Sequence, residues 1–214
     1  QDASPWPAQI EAEFRNVEVG IARTRSQYAD AGEIREIEAL FLEHIARAKQ
    51  HIYFENQYFA SRKIAEAIAL RMAEPDPPEV ILINPKSSDG WLEQAAMDGA
   101  RVRLVQAIEE ADHKSRFSVW HPVTASGTPI YVHSKLTIVD DEVLRIGSAN
   151  LNNRSMGLDS ECDVFIDCAR PANAHCGRTI RDLRISLLAE HCGMTPERVA
   201  ERLDQHGGMA AMIA

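Results

Sequence analysis

The stretch His133-Ser134-Lys135-Leu136-Thr137-Ile138-Val139-Asp140, followed by Gly147-Ser148-Ala149-Asn150, decides how the rest of the chain is read. Residues 130–139 are rich in β-branched and apolar side chains, which predicts a strand. Asp140-Asp141-Glu142 then reads as a turn, and 143–146 as a returning strand. Side chains alternate along a strand, so His133 and Lys135 share one face while Leu136 and Ile138 point the other way, into a core. Two cationic groups side by side repel unless an anion joins them, and a phosphate is the natural guest. Lysine offers a point charge with rotatable donors. Histidine titrates near neutrality and serves as nucleophile, acid or base. Asn150 can donate its amide to a phosphoryl oxygen, Ser148 can donate a hydroxyl, and Gly147 lets the backbone approach closely.

Working outward, the same kind of reading predicts strands at 15–21, 52–54, 80–83, 117–120 and 162–167. Helices are predicted at 33–49, 61–72, 91–97, 174–192 and 195–206. Residues 102–105 fit either a continuing helix or a strand. Ser61 and Thr195 stand where helix caps belong, and Gly193 and Gly207 where helices stop. Strands alternating with helices predict an α/β fold, layered α/β/α, with a central mixed sheet flanked by helices. The chain reads as one domain over 1–214, with a lead-in at 1–16 and a carboxy-terminal helical extension at 194–214.

Composition narrows the function classes. The 214 residues carry 23 Lys and Arg against 32 Asp and Glu, a formal charge of −9. That balance argues against a surface built to grip nucleic acid and leaves room for a local cationic pocket. No run of 18 apolar residues predicts a membrane span, and no basic amphipathic helix predicts attachment, so membrane contact is expected to be peripheral and the location cytoplasmic or at a membrane surface. The chain opens on Gln1, so it is read as starting inside a longer or processed product. Cys162, Cys168, Cys176 and Cys192 make no CxxC pair and are expected as free thiols; no metal-ligand cluster is visible.

Written as a pattern, the central segment is H-x-K-x4-D-x6-G-S-x-N. It resembles the HKD motif of the phospholipase D superfamily at all six positions. The run 52–59, containing Glu55-Asn56-Gln57, looks like the strand that opens the second half of two-motif phospholipases D. The run 150–161, from Asn150 to Glu161, looks like the stretch just after their second motif. The resemblance implies cleavage of a phosphodiester through a phosphohistidine, on glycerophospholipids such as phosphatidylcholine, without metal or cofactor. A cardiolipin synthase-type phosphatidyltransferase is the sister reading, and a non-catalytic phosphate- or lipid-binding module the reading from another class.

The resemblance also implies roles. His133 and Lys135 carry the chemistry, with Asn150 and Ser148 on the substrate phosphate. Asp140 belongs to the catalytic motif, but its place before a turn favours a structural job. Glu161 is expected to orient His133, with Asp159 and Asp163 as competing acids on the same strand face. Asn56 or Gln57 is expected to reach the substrate or a water from the strand end, or else both satisfy loop backbone groups. Arg154 is read as structural, and Trp91, Trp120 and Tyr131 as pocket lining or packing. No other histidine is followed two residues on by lysine. The family's site needs two motifs, so the expected partner is an amino-terminal half carrying the other motif, or a second copy of the chain.

Overall fold

Ile52, Tyr53 and Phe54 are all buried, although successive strand side chains point to opposite faces, so their strand is covered on both sides. The computed structural model describes residue 7 and residues 10–86 and 91–214, with backbone alone over 91–98. In chain order its elements are β1 (Gly20–Arg25), β2 (Ile34–Arg35), α1 (Glu36–Arg47), β3 (His51–Asn56), β4 (Phe59–Ala60), α2 (Arg62–Met72), β5 (Glu79–Ile83), α3 (Trp91–Ala111) and β6 (Phe117–Trp120). Then follow β7 (Lys135–Val139), β8 (Val143–Gly147), β9 (Leu151–Asn152), α4 (Asn153–Gly157), β10 (Glu161–Asp167), α5 (Gly177–Cys192), α6 (Pro196–His206) and α7 (Met209–Ile213). The main sheet runs β2-β1-β10-β8-β7-β3-β5-β6. Its β3-β5-β6 third is parallel and the remaining pairings are antiparallel.

The two faces have separate cores. Ile52 and Phe54 of β3, Val80 and Leu82 of β5 and Val139 of β7 meet Ile37, Phe41 and Ile45 of α1, Ile64 and Ile68 of α2, and Ile108 of α3. Tyr53, Ile81, Ile83, Leu136 and Ile138 point the other way, onto Ile180, Ile185 and Leu188 of α5, Val199 of α6, and Met209 and Met212 of α7. The fold is therefore the layered α/β/α arrangement with a mixed central sheet.

Several boundaries differ from expectation, each for a reason of pairing. The strand predicted at 130–139 begins only at Lys135, because its neighbours stop there: Lys135 faces Asn56, the last residue of β3, and Leu136 faces Ile146 near the end of β8. His133 thus lies just outside the ladder, and both faces of β7, not one, are core. The first strand lies at Gly20–Arg25, where it pairs with β10. A side chain at position 20 would collide with the ring of Phe165, its pairing partner. Residues 102–105 continue α3 as helix. Ser61 precedes α2 without a side-chain cap bond, whereas Thr195 Oγ1 accepts from Arg198 N at 3.3 Å. Gly193 and Gly207 end their helices in the left-handed region. The four cysteines are free thiols, and burial pushes that of Cys168 up to about 11. Among the described residues no helix is long and apolar enough to cross a membrane.

The front core also buries His44 of α1, its ring edge-on to Phe165. Burial, then the guanidinium groups of Arg145 and Arg47, push its imidazole down to about 4. The folded chain therefore holds His44 neutral in a pH range where the unfolded chain protonates it. The associated stability is complete above about pH 6.5 and is lost as pH falls toward 4, by roughly 3 kcal/mol. Urea unfolding at pH 7 and pH 4 should show that much extra loss in the wild type relative to His44→Leu. Equal pH dependence in the two would remove His44 as its source.

Candidate functional site

The end of β3, the start of β7, the end of β8 and the start of β10 share one edge of the sheet. A fully buried ion pair shapes this edge. Arg145 of β8 donates to Asp163 of β10, with both side chains wholly inaccessible. Its second nitrogen reaches Thr137 Oγ1 of β7 at 3.2 Å, and its guanidinium lies 3.6 Å above the Phe41 ring. Burial lowers Arg145 to about 10 and Asp163 opposes the shift, so the group stays charged at neutral pH. The other oxygen of Asp163 accepts from Ala149 N at 3.1 Å, which sets the loop leaving β8. A Cβ on Gly147 would collide with that oxygen, so only glycine lets the loop pass.

On this loop Ser148 Oγ donates to Glu161 Oε2 at 2.5 Å and accepts from Cys162 N at 3.1 Å. Ser155 Oγ donates to Glu161 Oε1 at 2.6 Å and accepts from Asn150 N at 3.1 Å. Asn152 caps α4 by accepting from Ser155 N at 2.8 Å. Asn56 Oδ1 accepts from Leu151 N at 3.0 Å, tying the loop to the end of β3. The buried Oδ1 of Asn150 has no hydrogen-bond partner among the described residues.

Lys135 reaches this edge from β7. Its Nζ donates to Gln57 Oε1 at 2.8 Å and to the His133 carbonyl at 2.7 Å, and lies 3.4 Å from His133 Nδ1. Gln57 is held in turn by donating from Nε2 to Tyr131 Oη at 2.9 Å. Burial pulls Lys135 below the ordinary lysine range, against the opposing charge of Glu161. The His133 ring is exposed. A half-buried ammonium beside an exposed imidazole, with hydroxyl and amide groups on the adjoining loop, is an arrangement suited to an anion.

The structure thus brings His133 and Lys135 together with Gln57, and places Ser148, Asn150 and Glu161 on the same edge. Two motif-linked acids stand apart from this pair. Asp140 lies at the opposite end of β7, roughly 16 Å away along a five-residue strand. There, in the left-handed region, its carboxylate accepts from the backbone of Lys49, Gln50 and His51 at 2.7, 2.8 and 2.9 Å. It clamps the α1–β3 connection and does not share the site of the two motif cations. Glu161 accepts from Ser148 and Ser155, one on each oxygen, and forms no hydrogen bond with His133. Asp163 is spent on Arg145 and Asp159 on Arg154. Trp120 donates to Ser118 Oγ beside it; the side chain of Trp91 lies outside the described residues. Among the described residues no group of His, Cys, Asp or Glu is arranged to hold a metal.

Sequence reasoning missed Glu55 and His191. Glu55 is buried behind the motif and accepts from Tyr53 Oη at 2.6 Å, Ser134 Oγ at 2.7 Å and His191 Nε2 at 2.8 Å. The available signal was an acid closing a run of buried apolar residues on β3.

The family model described as Phospholipase D matches residues 97–208. Phospholipase D alpha 1 of Nicotiana tabacum is 27% identical over 275 aligned positions, covering 92% of this chain and 34% of its own length. This chain therefore spans about a third of that relative. Among solved structures, a phosphatidylserine synthase from Haemophilus influenzae Rd KW20 superposes with a TM-score of 0.54 at 16% identity, over 79% of this chain and 40% of its own. Nuc from Salmonella typhimurium, a phospholipase D family member, superposes with a TM-score of 0.51 at 17% identity, over 76% and 91%. At such identities these likenesses speak to fold.

Substitutions should separate shape from chemistry at this edge. Asp163→Ala strands a buried guanidinium and should cost about 3–5 kcal/mol. Asp140→Ala removes one acceptor group for three backbone donors and should cost about 1–3 kcal/mol. Urea unfolding measures both, and a neutral Asp163→Ala would contradict the ion pair.

Proposed function

This chain belongs to the phospholipase D family, and from that premise we propose that it is one histidine-bearing half of a phosphodiesterase acting on glycerophospholipids such as phosphatidylcholine. The observation that carries this reading is the Lys135 ammonium, anchored between Gln57 and the His133 carbonyl beside the exposed His133 ring. A second half completes the site, supplied by an amino-terminal segment of the same polypeptide or by another copy. Two facts support a second half. The chain has one H-x-K pattern, and it spans a third of its tobacco relative.

In the proposed reaction the histidine of the other half attacks phosphorus, and the bond to the leaving alcohol breaks. His133, protonated, gives its proton to the departing oxygen. The covalent phosphohistidine splits one hard displacement into two. His133, now neutral, takes a proton from water, and the hydroxide so formed displaces the enzyme histidine and releases a phosphatidic acid. If an alcohol replaces water, the same intermediate gives a transphosphatidylation product. Lys135 and the Asn150 amide offset charge on the non-bridging oxygens. Ser148 donates to the substrate or stays on Glu161, which balances the Lys135 charge. Contact with the lipid surface is peripheral.

The test uses the intact protein with phosphatidylcholine vesicles, reading choline release and lipid products. His133→Ala and Lys135→Ala should each slow release by about 10³-fold with the circular dichroism spectrum retained. Full activity in either variant would overturn the reading. Binding to vesicles with no turnover in the wild type would favour a non-catalytic module.

A further inference from the structure

Ser134 stands between the two motif cations and points to the opposite side. Its Oγ donates to Glu55 Oε2 at 2.7 Å. The other oxygen of Glu55 accepts from Tyr53 Oη at 2.6 Å and from His191 Nε2, on the last turn of α5, at 2.8 Å. The Glu55 side chain is only 6% exposed, and that of His191 17%. Leu136 and Ile83 flank Glu55 on the neighbouring strands, and Ile83 and Leu188 line a small pocket with His191. Burial would raise the Glu55 carboxyl, but the bonds from His191, Tyr53 and Ser134 hold it below its ordinary range. A charged group buried this deeply is costly unless several donors converge on it, and as packing alone it is inferior to an apolar side chain.

What those donors secure is the segment just ahead of β7, which Val132 packs into the core but no strand ladder holds. Residues 131–134 precede β7, beyond the reach of the ladders from β3 and β8. The loop carries the bond from Ile130 N to the Pro122 carbonyl, and after it the buried Val132 and side-chain hydrogen bonds hold the chain. We propose that Glu55, braced by His191, is a positioning residue: by fixing Ser134 it aims His133 and Lys135 at the same phosphate. The proposal rests on the function proposed above. It makes α5, remote in sequence from the motif, part of the apparatus that sets the motif's geometry.

The test pairs turnover in the intact protein with nuclear magnetic resonance on the 214-residue chain. The variants are Ser134→Ala, His191→Leu and His191→Gln, the last retaining an N–H donor for Glu55. Ser134→Ala and His191→Leu should lower kcat about 10- to 100-fold with KM little changed, as a displaced reacting group does. His191→Gln should recover most of the loss. In the isolated chain, the His133 ring and Lys135 side-chain signals should shift and broaden in Ser134→Ala and His191→Leu, and stay near wild type in His191→Gln. Unmoved His133 and Lys135 signals in the first two variants would overturn the proposal. So would equal losses in His191→Gln and His191→Leu. A wild type that turns over no phosphatidylcholine refutes the proposed function, yet the resonance readout still decides whether Glu55 and His191 order the pair.

Discussion

The loop that carries Ser148 and Asn150 hangs on one guanidinium. Arg145 is fully buried, and a charge there is tolerable only because Asp163, Thr137 and the face of Phe41 surround it. Those partners come from β10, β7 and α1, so a single group ties three strands and the front helix layer together. The same Asp163 shapes the backbone at Ala149. The loop bearing Ser148 and Asn150 is therefore held by an ion pair inside the protein, and the Ser148 hydroxyl is itself fixed between Glu161 and Cys162 N. A rigid interior supporting a polar rim is what a preorganised phosphate site needs.

The grouping of side chains was legible in the sequence where it was local. His133, Lys135, Gly147, Ser148 and Asn150 stand within 18 positions of one another, and their spacing alone suggested an anion site. The alternation of strands and helices likewise sufficed for the layered α/β class. Strand limits were less legible. The β-branched run does not stop at Lys135, but its partners do, and where β3 and β8 end cannot be read from the residues of β7. A strand is as long as its ladder, whatever its own propensity.

Long-range acid–base pairing was the hardest part to foresee. Alternation along one strand puts Asp159, Glu161 and Asp163 on one face and could not rank them, and Asp159 lies ahead of β10, outside the strand. The sheet sorts them by depth: Asp163 goes to Arg145, Glu161 to two serines, and Asp159 to Arg154 at the surface. Glu55 shows the same limit from the other side. Its partners Ser134 and His191 are 79 and 136 residues away in sequence, so nothing local to it announced a role.

The two ends of β7 also have a consequence for how the chain reaches this state. At one end Lys135 meets Gln57 across 78 residues, and at the other Asp140 meets Lys49 across 91. Closing the first contact carries nearly all the entropic cost of the loop, since that cost grows only logarithmically with length. Once either end is joined, the other is already close, and the strand zips between them. The Asp140 clamp and the Lys135 anchor are then successive teeth of one fastener. Both contacts are far apart in sequence, whereas β3, α2 and β5 follow one another, so on topology the joining of β7 to β3 is the slower step.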